Sequence, residues 1–168
     1  MLARGQMTQT LNNTRQLYTA TFQWTLDNQT TRESSVRWTC SNTIPLTFEQ
    51  WRNGLVSGDY MKEADMTKLL SHTKNTKEER FWFDKKIVKT ENIISVFAAA
   101  EADAPDTLLF ATKNWHGISV TNLSGELFDD KGFIVFRKGG DGAILSPQQS
   151  TAANLIGSGG MHNDLPLK

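Results

Sequence analysis

The sequence predicts an α+β fold, a single domain with a mainly antiparallel sheet and helices packed chiefly on one face. Three observations predict it. Short apolar runs are separated by tight turns throughout. Two segments open with capping boxes, Thr47 with Gln50 and Ser146 with Gln149. Residues 132–138 (GFIVFRK) are apolar on both parities, the mark of a strand covered on both faces.

Residues 1–16 are polar and without a period, and read as a flexible N-terminal arm. Met1 and Met7 can each serve as a start, a point the sequence leaves open. Tyr18, Ala20, Phe22, Trp24 and Leu26 then alternate with Thr19, Thr21, Gln23 and Thr25. That alternation predicts an amphipathic strand. A second alternation, Ser34, Val36, Trp38 and Cys40, predicts its hairpin partner.

Helices are expected over Phe48, Trp51 and Leu55, stopping at Gly58, and over Met61, Met66 and Leu69, capped by Asp59. Residues 72–79 read as a solvated loop, and 80–89 (RFWFDKKIVK) as a strand. Residues 90–104 carry Ile93, Val96, Phe97 and Ala100 on one helical face, and read as a helix. Residues 108–112 and 118–121 read as strands, with turns at 122–125 and 129–132. Ser146-Pro147 opens a last helix to about residue 156. The domain thus spans 17–156, and 157–168 read as a flexible C-terminal tail.

Composition bounds the function. A chain of 168 residues buries ~70% of its unfolded surface without needing disulfides. One cysteine, Cys40, fits a reducing, cytoplasmic setting. The formal charge is zero, which argues against general nucleic-acid binding. No apolar run approaches the ~20 residues of a membrane helix, and MLARGQMTQT holds no secretory signal. Cys40, His72, His116 and His162 are scattered, so neither metal nor cofactor is expected.

Candidate chemistry gathers near the end of the doubly apolar strand. Arg137, Lys138, Gly139, Gly140 and Gly142 surround Asp141. Glycines let N–H groups converge on an anion, and the two cations add charge. The same residues also serve a plain tight turn. His116 is a candidate general acid or base, with Asp141 as its carboxylate. Asp106 with Asp129, Asp130 and Lys131 has the order of residues used by many metal-dependent nucleases. Such a triplet belongs on a strand, however, and here it falls in a turn.

Two readings result. One is a small cytosolic binding or interaction protein without a catalytic constellation, using an exposed sheet surface or the 137–142 turn. Its partner would be a protein or a small anionic ligand. The other is a small hydrolase or transferase acting on an anionic substrate through His116 and Asp141, with the metal-dependent nuclease behind it. The enzyme needs His116 and Asp141 in one pocket.

Overall fold

The computed structural model describes residues 2–32, 34–76, 87–117, 122–124, 127–152 and 165. The chain begins with a long helix, α1 (Leu2–Thr31). Three two-residue strands follow, β1 (Val36–Arg37), β2 (Cys40–Ser41) and β3 (Ile44–Pro45), paired antiparallel in that order. Next come α2 (Phe48–Ser57) and α3 (Glu63–Leu70). β4 (Ser71–Thr76) and β5 (Ile87–Asn92) form a separate antiparallel ribbon. The main sheet is antiparallel, in the order β6 (Ile94–Val96), β7 (Leu108–Thr112), β8 (Phe133–Arg137), β9 (Gly142–Leu145).

Both faces of that sheet are covered, as the doubly apolar strand requires. Ile94, Phe110, Ile134 and Phe136 join a core with Leu17 of α1, Trp51 and Leu55 of α2, and Met66 and Leu69 of α3. Leu108, Ala111, Phe133 and Val135 face the other way and pack with Trp115, Leu123 and Ala152. Helices therefore cover one face and loops the other. The Trp115 ring stacks on Phe133 at 5.7 Å, and its Nε1 donates to the Ser150 carbonyl at 2.9 Å. A register shift between Leu108 and Phe110 puts the consecutive Leu109 and Phe110 into the same core, the one shared with the helices.

Several expectations are corrected. Residues 2–16 are no arm, and 18–26 are no strand: both belong to α1. Its buried stripe is Ala3, Met7, Thr10, Thr14, Leu17, Thr21, Thr25 and Asn28, a spacing of three and four. Burial does not follow the alternation: Ala20 is buried as expected, but so are residues of the other parity. Thr21 and Thr25 are buried, whereas Phe22 and Leu26 are 38% and 43% exposed.

The threonine hydroxyls explain how a polar stripe can be buried. Thr14, Thr21 and Thr25 each donate Oγ1 to the carbonyl four residues back, at 2.8, 2.8 and 3.0 Å. Thr21 Oγ1 also accepts from Trp51 Nε1 at 3.2 Å, and Thr25 Oγ1 from the Trp38 N–H at 2.8 Å. These three hydroxyls are thus satisfied, which removes the main cost of burying them. Trp24, half-buried, meets α2 where Gly54 leaves room: a Cβ there would fall 2.3 Å from the indole.

The expected hairpin partner shrinks to β1 and β2, with Trp38 between them at φ 58°. The helix expected over 90–104 is absent: β5 ends in it, β6 follows, and Phe97 pairs by its N–H with Leu109 O at 2.8 Å. Its β-branched residues serve strand pairing instead. Residues 72–76, expected as loop, are strand β4. The capping box at Thr47 forms as expected, with both bonds present. The second helix starts at Glu63, and Asp59 lies in the preceding turn at φ 62°. Ser146 opens only a 3-10 turn, Pro147–Gln149. Residues 77–86, 118–121 and 153–164 lie outside the described residues. So do most of the expected 80–89 strand, the 118–121 strand, and the tail apart from Leu165. Leu165 is buried and donates its N–H to Val96 O at 2.9 Å.

Candidate functional site

The turn joining β8 to β9 is a three-residue hairpin loop. The Arg137 N–H donates to Asp141 O at 2.9 Å, and the Gly140 N–H to Arg137 O at 3.0 Å. Gly140 sits at φ 100°, the left-handed position such a loop requires. The Gly139 N–H donates to Pro105 O at 2.7 Å, and the Lys138 N–H to Thr107 O at 2.9 Å. The N–H groups of residues 137–140 therefore bond carbonyls of the protein itself. Gly142 begins β9 and pairs with Phe136.

The two cations of the turn have different settings. Arg137 is half-buried and pairs with Asp141 at 3.2 Å. Lys138 is buried. Its Nζ lies 5.5 Å from the Trp38 ring centre and donates to Glu101 O and Asp103 O, both at 2.7 Å. Burial lowers its pKa, against the opposing pull of Asp103 and Glu101. The Lys138 carbonyl accepts from Tyr18 Oη at 2.9 Å. Burial, then the nearby Asp141 charge, raises the Tyr18 pKa. The turn is thereby fastened to α1 and to the 100–105 loop, with the lysine head group directed at carbonyls.

His116 stands at the other end of the sheet. Thr112 Oγ1 accepts from the Ile134 N–H at 3.0 Å, and Asn114 Nδ2 donates to Gly132 O at 2.8 Å. These bonds fix the segment before His116 beside the start of β8, while Asp141 follows its end. The strand between them spans about 13 Å at ~3.3 Å per residue. The structure does not bring His116 and Asp141 together. His116 is exposed, and its Nε2 contacts Ser124 Oγ.

The nuclease carboxylates are parted in the same way. Asp106 lies between Pro105 and Thr107, whose carbonyls bond the 138–139 end of the turn. Asp129, Asp130 and Lys131 precede Gly132 at the opposite end of β8. Among the described residues no three His, Cys, Asp or Glu side chains gather in a metal-holding cluster. Cys40 is buried in β2, and burial, then Asp103, raises its pKa, which disfavours the thiolate.

The sheet edges differ. Beyond β6, Leu165 bonds Val96, and Thr39 Oγ1 donates to Phe97 O at 2.9 Å and accepts from the Ala99 N–H at 2.7 Å. Among the described residues no strand pairs with the outer side of β9. The Arg137–Asp141 bond sets the alternation, so Ala143 and Leu145 bond β8 while Gly142 and Ile144 turn their N–H and C=O groups outward. Ile144 lies on the α1 side opposite Ile134, yet is 39% exposed.

A groove of about 510 Å³ separates β9 from the first turns of α1. Ala3, Met7, Ile144 and Leu145 form its apolar lining, with Arg4, Thr8, Lys131 and Ser146 around them. Ala3, Arg4, Met7 and Thr8 lie in a stretch whose polar sequence reads as an arm and so gives no sign of a groove. Their one signal was Ala3 and Met7 at i and i+4.

No family model matches the chain, and no curated protein or solved structure is significantly similar to it. No described helix is long and apolar enough to cross a membrane.

Proposed function

We propose that the chain is a cytosolic binding module that docks other polypeptides through the exposed edge of its sheet. One observation carries this reading: among the described residues β9 is an edge strand, and its Ile144 stands in an open groove, 39% exposed on a face otherwise given to the core. An edge strand with unused N–H and C=O groups is a template for pairing with another chain. The buried free thiol of Cys40 supports a reducing compartment. A small anionic ligand at the 137–142 turn has weaker support, since four of the turn's N–H groups bond carbonyls of the protein.

The enzyme reading through His116 and Asp141 has weaker support, since His116 contacts Ser124 and Asp141 follows the far end of β8. A photo-crosslinking residue placed at Ile144, compared with one at the exposed Gln148, separates the two readings. The module gives adducts at position 144 that unlabelled wild-type protein competes away. Equal labelling at both positions overturns it. Turnover of activated acyl or phosphoryl esters that His116→Ala abolishes would establish the enzyme instead.

A further inference from the structure

The groove at β9 combines three features. Ala3, Met7, Ile144 and Leu145 supply the apolar part of its lining, beside the uncharged polar Thr8 and Ser146. Its charged lining is wholly basic, from Arg4 and Lys131. Both cations are exposed, and neither takes part in a salt bridge among the described residues. Asp129 and Asp130 precede Lys131 but do not line the groove. Along one wall runs a strand whose Gly142 and Ile144 direct backbone groups outward.

Resting on the binding-module reading, we infer that the groove receives an extended, acidic polypeptide segment that adds a fifth strand beside β9. Pairing would use the outward N–H and C=O groups of Gly142 and Ile144. Alternate side chains of an added strand fall on one face, here the face of Ile144 and α1. An aliphatic side chain fits against Ala3, Met7 and Ile144. A carboxylate on the segment meets Arg4 or Lys131. A folded domain would have to present such an edge of its own, whereas a linear segment needs only the groove. The two basic residues select acidic segments over basic ones, because like charges across a docking surface oppose binding.

The probe is a fluorescent, capped peptide of about eight residues, the length of an ordinary strand, alternating valine with glutamate. Its controls replace glutamate by lysine, or methylate alternate backbone nitrogens. The acidic peptide is expected to bind about fivefold or more tighter than the lysine peptide, the scale two exposed ion pairs reach. Added salt should narrow that gap. The double variant Arg4→Glu with Lys131→Glu should reverse the preference, with its fold checked by circular dichroism. N-methylation in the paired register should abolish binding, and the Gly142 and Ile144 amides should gain exchange protection on binding.

Equal affinity for the acidic and lysine peptides overturns the inference without the variant, as does unchanged affinity after N-methylation. Protection of the same amides that rises with protein concentration alone would assign the edge to a second copy of the chain, and also overturns it. If position 144 still crosslinks a competed partner in any of these cases, the binding-module reading survives and only this occupant fails.

Discussion

Tyr60 Oη donates to Asp27 Oδ2 at 2.6 Å, tying the turn after α2 to the last part of α1. That bond, with smaller help from burial and the Asp27 charge, pushes the phenol pKa from 10.0 to about 12. The unfolded chain releases this proton first. The stabilisation is therefore fully present below pH 10 and is lost as pH rises through about 12. Ultraviolet titration of phenolate absorbance should show one tyrosine ionising near the upper limit, and Asp27→Ala should return it toward 10. An unchanged titration would remove the bond. Lys138 is the other residue whose surroundings decide its role. Its sequence neighbours suggest an anion site, and Lys138→Ala then leaves the fold intact. With Nζ holding two carbonyls, the replacement should instead cost ~1–3 kcal/mol, read by denaturant midpoint.

At the level of elements, α1 is where pattern and structure part. Its alternating stretch satisfies a strand template, and its buried positions satisfy a helix template, but the helix stripe holds four threonines where leucines would announce it. Hydropathy cannot register a hydroxyl that is satisfied by the carbonyl one turn back. The helix predicts an opposite ranking of neighbouring substitutions. Thr21→Val keeps the shape but leaves Trp51 Nε1 without its acceptor, and should cost ~1–3 kcal/mol. Leu26→Ala, on the exposed side, should cost under ~1 kcal/mol. The strand template ranks them the other way, so measuring the two midpoints side by side decides between them. α2, β7, β8 and the turn after β8 are legible because local signals and burial agree there: a complete capping box, two apolar runs and a glycine turn.

For the whole molecule, the sheet edges matter most. The glycine-rich residues after Gly157 suggest a tail that can be removed without effect. Leu165 is buried instead, and its N–H covers the Val96 carbonyl at the β6 edge. Truncation after Gly157 uncovers that edge and returns a leucine to water, a loss of ~1.5–3 kcal/mol. At ~2–4 °C per kcal/mol for a chain of this size, the melting temperature should fall by roughly 3–12 °C. A Leu165→Ala variant should reproduce part of the fall. Truncation without any shift would show that the contact contributes nothing to stability. With the β6 edge covered and no strand beyond β9 among the described residues, the candidate docking surface falls at β9.

The sequence by itself determined the α+β class, the central place of β8, the turn between β8 and β9, and the capped start of α2. Each rests on neighbouring residues, where backbone preference and side-chain pattern act over a few positions. Tertiary structure alone decided that residues 2–31 form one helix, because its buried threonines are satisfied by carbonyls one turn back only within the helix, and Thr21 and Thr25 also accept from Trp51 and Trp38 across the core. It also decided that His116 and Asp141 stand at opposite ends of a strand, since separation in space follows from sheet register and not from spacing in the chain. The groove beside Ile144 is of the same kind. Its residues come from positions 3–8, 131 and 144–146, and only the packing of α1 across the sheet brings them together.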